Sequence, residues 1–176
     1  MEEIKGGSPV PQTGAEQGKN VEQTEQYVVF RLGEEEYAAP ILDIQEIIPA
    51  GDITPFPNAP EYVSGIINVR GTVATVVSLA RLFGLQREDG KEGYIILVKT
   101  DKTLFGVLVD TVSSVMNFNP DAVRSAEGMG NLKVDAEYIH GVMVVDERVI
   151  LILNLHRVLK EDDIPTAGDQ IVKPQA

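Results

Sequence analysis

Cysteine is absent from the 176-residue chain, so disulfides, thiolate nucleophiles and cysteine-bound zinc are excluded at once. Two histidines, His140 and His156, are too few for a histidine-rich metal site. Long apolar runs are missing as well. The longest, such as residues 149–153, hold five residues, against the ~20 that a membrane-crossing helix needs. The opening MEEIKGGSPVPQTG lacks the basic start and apolar stretch of a secretory signal, so a cytoplasmic protein is expected. Positive charge is scarce: 15 Lys and Arg against 27 Asp and Glu leave a formal net charge of −12. Part of this sits near the ends, but residues 26–159 still hold 18 acids against 11 bases. Such a surface repels phosphate backbones and anionic lipid, so nucleic-acid binding is not expected.

What is present is the balance of a soluble globular protein, with 43% hydrophobic and 24% charged residues. Residues 1–25 are rich in Gly, Gln, Glu, Pro and Thr, with Ile4, Val10 and Val21 almost the only apolar side chains. They cannot bury enough surface to offset their ordering entropy and are expected to form a disordered tail. Residues 161–176, interrupted by Pro165, Gly168 and Pro174, are expected to form a second, flexible tail. The expected folded unit is 26–160. Within it, short segments rich in Val, Ile, Tyr and Phe come in pairs around tight connections. These are 27–32 with 36–40 around Gly33, 66–69 with 72–77 around Arg70-Gly71, 94–100 with 103–109 around Asp101-Lys102, and 141–145 with 148–153 around Asp146-Glu147. Each pair has hairpin spacing. Runs such as Ile95-Ile96-Leu97-Val98 carry apolar residues on both faces and predict strands covered on both sides. Short helices are predicted at 43–48, 79–83 and 154–159, giving a mainly β class with short helices.

The hairpins repeat. Tyr27, Phe30, Tyr37 and Ile47 align with Ile95, Val98, Phe105 and Val115 at a constant spacing of 68 residues. Glu61-Tyr62-Val63-Ser64-Gly65 and Leu79-Ala80-Arg81-Leu82 align with Glu137-Tyr138-Ile139-His140-Gly141 and Leu155-His156-Arg157-Val158 at 76. The difference is a longer connection in the second half, within the irregular stretch expected at 117–136, against 49–60 in the first. Two copies of hairpin, loop, hairpin and short helix predict two similar small barrels. One copy of about 60 residues would be marginal alone, so the pair is expected to fuse apolar faces.

Catalytic motifs are wanting: there is no G-x-S-x-G, P-loop or H-E-x-x-H. Gly128-Met129-Gly130 lacks a third glycine and a strand-to-helix setting, and reads as a loop. Asp110 has no partner carboxylate at fixed spacing and is expected to cap a following short helix. His140 and His156 align with or beside ordinary positions, Ser64 and Ala80, which favours structural or surface roles over catalysis. Recognition residues remain. Ile41, Ile44, Ile47 and Ile48 recur at near-helical spacing around Asp43, Gln45 and Glu46, as a core stripe with Glu46 open to a partner. Gly71 supplies a positive φ for its turn. The matching tip of the second repeat is Asp146-Glu147, so the turn itself does not require Arg70, and arginine is enriched among residues that dominate binding energy. A small-ligand or catalytic site in a groove between the lobes is the alternative.

Several strings resemble CheW-like domains: QYVVFRLGEEEY at 26–37, Ile44-Gln45-Glu46-Ile47, and PEYVSGIINVRG at 60–71. The last is the most specific, being the family's N-L-R-G turn with Val69 for leucine. Tyr138-Ile139-His140-Gly141 and the run at 150–155 also fit, so the resemblance covers about 26–160. It implies two SH3-like five-stranded β-barrel lobes packed together. It also implies a non-enzymatic adaptor without cofactor, a monomer in isolation, coupling chemoreceptors to the histidine kinase CheA. The implied partners are the kinase's CheW-like regulatory domain and the receptors' cytoplasmic tip, with the cytoplasmic protein recruited to membrane-associated arrays. By resemblance, Ile44, Glu46, Gly65, Asn68, Arg70 and Gly71 match partner-binding positions, with Arg70 on the receptor side. Ala38, Thr75 and Ser78 depart from the family's glycine, proline and aspartate, which is expected to alter packing and turn chemistry around 75–79. A chain of 176 residues fits the standalone coupler better than relatives with a receiver domain of about 120 further residues or kinase segments.

Overall fold

A computed structural model describes residues 24–85, 93–101, 103–127, 134–160 and 164. The first repeat forms β1 (Glu25–Leu32), β2 (Glu35–Pro40), a 3-10 turn (Ile41–Asp43), β3 (Glu46–Pro49), β4 (Val63–Val69), β5 (Thr72–Ser78) and helix α1 (Leu79–Leu82). The second forms β6 (Tyr94–Lys99), β7 (Leu104–Val109), β8 (Thr111–Phe118), β9 (Ile139–Val145), β10 (Arg148–Leu153) and helix α2 (Leu155–Val158). The strands make two five-stranded sheets, ordered β8-β1-β2-β10-β9 and β3-β6-β7-β5-β4.

Neither sheet is built from one repeat. Each repeat gives its first hairpin to one sheet and its last three strands to the other, so the expected pair of barrels is strand-exchanged. The registers obey the repeat: Phe30↔Tyr37 matches Val98↔Phe105, Val28↔Val115 matches Ile47↔Ile96, and Leu151↔Tyr37 matches Thr75↔Phe105. The exchange accounts for strands that are apolar on both faces. On β1, Tyr27 and Val29 face the interior of one lobe, with Ile150 and Ile152, whereas Phe30 faces a core shared between the lobes. On β6, Ile95 and Leu97 line the other lobe's interior, and Ile96 and Val98 join the shared core with Tyr37, Phe105, Leu79 and Leu155. Pulling the two repeats apart would break β ladders as well as apolar contacts.

Two local expectations fail at the crossings between sheets. No helix spans 43–48. The 3-10 turn ends at Asp43, and β3 pairs antiparallel with β6, placing Ile47 against the shared core and Ile48 against a lobe interior. The β-branched isoleucines fit a two-faced strand, and the ladder to β6 outweighs a helical spacing only six residues long. No helix follows Asp110 either. The chain enters β8, which occupies the start of the stretch expected to be irregular. Asp110 pins this crossing to the β1–β2 turn: its Oδ2 accepts the Gly33 N–H at 2.7 Å, and its own N–H donates to the Arg31 carbonyl at 3.1 Å.

The two other helices form where expected, each as one turn behind a polar cap. Ser78 Oγ accepts the Arg81 N–H at 3.3 Å, and Asn154 Oδ1 accepts those of His156 at 3.1 Å and Arg157 at 3.2 Å. Ser78 thus supplies the cap of α1. Thr75 is buried, and its hydroxyl has no hydrogen-bond partner. Ile164 is also buried, against the shared core. Lys102, Gly128-Met129-Gly130 and most of both expected tails lie outside the described residues.

Candidate protein-docking site

The β4–β5 hairpin turns on two residues in left-handed conformation, Arg70 at φ 50° and Gly71 at φ 90°. Two-residue hairpins take this form because its twist matches the strands, and glycine adopts it without cost from a Cβ. Asn68 reinforces the turn, its Oδ1 accepting the Gly71 N–H at 2.8 Å. Arg70 therefore projects from a fixed tip, with its side chain 68% exposed.

Its guanidinium forks onto Glu46, the first residue of β3. Nη1 donates to Oε2 at 3.2 Å, and Nη2 donates to Oε1. β3 and β4 are the two edges of their sheet, so the fork is a clasp showing that the sheet curls until its edges approach. The hydrogen bond from Arg70 holds the Glu46 carboxyl below its ordinary value, and the same bond raises the Arg70 guanidinium. For so exposed a pair the consequence is geometric, two side chains presented in one orientation, rather than a large stabilisation.

Four of the six expected positions, Glu46, Asn68, Arg70 and Gly71, thus gather at one end of one lobe. Gly65 lies elsewhere. It sits at the bulge in β4 with φ 151°, where any Cβ would land on the Thr54 carbonyl oxygen. Its bareness lets residue 54 pair with Ile66, through hydrogen bonds of 2.9 and 2.7 Å. Ile44 is half-buried against the shared core. The exposed apolar residue of this segment is instead Leu42, 93% accessible on the 3-10 turn between β2 and β3. Its signal was present in the sequence as an apolar residue off the isoleucine stripe.

The seam between the lobes is filled by the shared apolar core, and Thr75 and Ser78 are the buried polar residues among those described. No group of three His, Asp or Glu side chains among the described residues is placed to hold a metal ion. Among the described residues the core between the lobes thus holds no buried charged side chain.

A duplicated, strand-exchanged pair of five-stranded lobes, packed on an apolar seam and presenting a clasped arginine at a hairpin tip, defines a two-lobed β scaffold. The model for CheW-like domains matches residues 26–163, and the chain belongs to the CheW family of chemotaxis scaffold proteins. It is similar to chemotaxis protein CheW of Treponema pallidum, at 32% identity over 79% of this chain and 84% of that one. It is also similar to CheW of Helicobacter pylori, at 30% identity over 85% and 89%. Among solved structures it resembles the scaffolding protein TtCheW from Thermoanaerobacter tengcongensis, with a TM-score of 0.72, 29% identity, and coverage of 78% and 88%. The mainly β, SH3-like two-lobed architecture is that of this neighbour.

Proposed function

We propose that this protein is a non-enzymatic, cofactor-free adaptor that couples chemoreceptors to the histidine kinase CheA in the cytoplasm, at membrane-associated arrays. The observation that carries the reading is the Arg70–Glu46 clasp, an exposed, oriented ion pair at the hairpin tip of one lobe. An arginine so placed presents spare donors to a partner while its own position is fixed by Glu46 and Asn68. Two lobes welded by strand exchange suit a linking piece, since a partner on one is held at a set orientation to a partner on the other. The adaptor acts by biasing the kinase's conformational balance through position, without chemistry of its own. Among the described residues no helix is long and apolar enough to cross a membrane, and the family resemblance implies contact with the receptors at their cytoplasmic tip.

The test is binding of the purified protein to the CheA regulatory domain and to a receptor tip fragment, with Arg70→Ala and Glu46→Ala beside wild type. Saturable binding, weakened selectively for one partner in a folded variant, is the expected result. A folded protein that binds neither partner would remove the assignment.

A further inference from the structure

A second surface lies on the other lobe. A half-open cavity of about 360 Å³ is bounded by the start of β1, the 3-10 turn after β2, and the N-cap of α2. Its polar lining is Glu25, Tyr27, Asp43, His140 and Asn154, and among the described residues neither Lys nor Arg lines it. The Tyr27 hydroxyl donates to Glu25 Oε1 at 3.2 Å, fixing that carboxylate at the rim. Asp43 Oδ1 lies 3.5 Å from His156 Nε2. Leu42, the chain neighbour of Asp43, is 93% exposed.

The internal repeat shows that the fold does not require this lining. The matching residues of the other lobe are Gly93, Ile95, Thr111, Ser64 and Ser78, with no charge among them. The same backbone is thus built without carboxylates in one lobe and with two beside a hydroxyl and an amide in the other. We infer that this cavity receives the guanidinium or ammonium head of a basic side chain from a protein partner, with Leu42 packing on its apolar stem. The cavity's volume suits one amino-acid side chain, and its two carboxylates match the charge and donors of such a head, Asn154 Oδ1 being already engaged as the cap of α2. A metal ion fits less well, since no three ligating groups converge among the described residues. Its failure is distinguishable from that of the receptor–kinase reading, because the Arg70 tip uses different residues on the other lobe.

The experiment titrates the full chain with N-acetyl-arginine amide, following backbone amide NMR shifts, beside the neutral N-acetyl-norleucine amide. The expected result is saturable shifts at Tyr27, His140 and Asn154 with the arginine probe alone. Affinity should weaken about threefold in Glu25→Gln or Asp43→Asn, as for one exposed ion pair lost. In the wild type it should also fall with added salt, a readout that no folding defect in a variant can mimic. The inference is overturned if shifts stay linear to the end of the titration or the norleucine probe reproduces them. Undiminished binding in both variants, or indifference to salt, overturns it equally.

Discussion

The two lobes are built to one register but finished differently. At one tip, Arg70 and Gly71 turn at φ 50° and 90°; at the other, Asp146 and Glu147 turn at φ 50° and 70°. Asn68 braces the first turn, and its repeat partner Val144 offers no acceptor and stands 61% exposed. A basic residue also closes each curl differently. Arg70 clasps Glu46, whereas Arg148 lies 3.4 Å from Glu36 and 3.8 Å from the Met116 sulfur. Since either tip satisfies the same ladder, turn geometry does not dictate the charge it carries. Where duplication holds the backbone constant, the differing side chains are those free to take up recognition.

The largest expected effects come from breaking the glycine bulges that both lobes share. A Cβ at Gly65 meets a backbone carbonyl oxygen at a positive φ, so Gly65→Ala should cost about 3–5 kcal/mol of unfolding free energy. At Gly141 no positive φ is involved and the nearest obstacle is the Val123 side chain, with the Arg124 carbonyl oxygen at 2.8 Å, so Gly141→Ala should cost about 2 kcal/mol. Urea denaturation with an unchanged slope measures both, and equal losses would contradict the closer backbone approach at Gly65.

Next comes the tip. Arg70→Glu should weaken binding to whichever partner reads this surface about tenfold or more, while charge reversal at Asp146 leaves that partner unaffected. The double exchange Arg70→Glu with Glu46→Arg rebuilds an internal pair and should fail to restore binding, because the partner reads the guanidinium at the tip. Its pH dependence has a definite sign. The Glu46 carboxyl is held below its ordinary 4.5, so the pair's contribution is complete above that value and lost as pH falls through the lowered one. Binding through the tip should therefore stay level between about pH 7 and 5.

A smaller effect tests the shared core. Thr75 carries an unpartnered buried hydroxyl where the other lobe has Leu151. Thr75→Val keeps the β-branched shape and removes the stranded group, and should add about 1 kcal/mol. Calorimetry would register a rise of about 2–4 °C in Tm. A fall would mean that the hydroxyl has a partner in solution, such as a buried water.

The four hairpins were legible because alternation and turn residues act over a few positions, and the duplication because aromatic and glycine positions recur at two fixed spacings. Strand exchange was not legible. Tyr37 pairs with Phe30 through a local turn, but its parallel neighbour Leu151 lies far along the chain, and either repeat's last hairpin would satisfy the same alternation. β3 was misread because Ile44, Ile47 and Ile48 fit a helical stripe as well as they fit a strand with two covered faces. Asp110 was misread because its acceptor role answers Gly33, a contact set by tertiary structure. At the tip, Gly71 and Asn68 carry local turn signals, whereas the Arg70–Glu46 clasp depends on sheet curl that no local pattern records. Leu42 and the carboxylate-lined cavity needed the fold, since β1, the β2–β3 crossing and α2 meet there only after the exchange.

The smallest prediction exchanges the tips themselves. Glu147 occupies left-handed space at φ 70°, which costs a residue with a Cβ about 1–2 kcal/mol. Glycine removes that cost but loses about 0.5–1 kcal/mol through its freer unfolded chain, so Glu147→Gly should stabilise by about 0.5–1 kcal/mol. Gly71→Glu should lose a similar amount in the other lobe, with Asn68 still able to accept the residue-71 N–H. Opposite signs in the two lobes would show that the tips share one backbone requirement and differ only in surface. A loss on Glu147→Gly would instead give the Glu147 side chain an interaction strong enough to outweigh its strained backbone, and the acidic tip would then have a structural reason to be acidic.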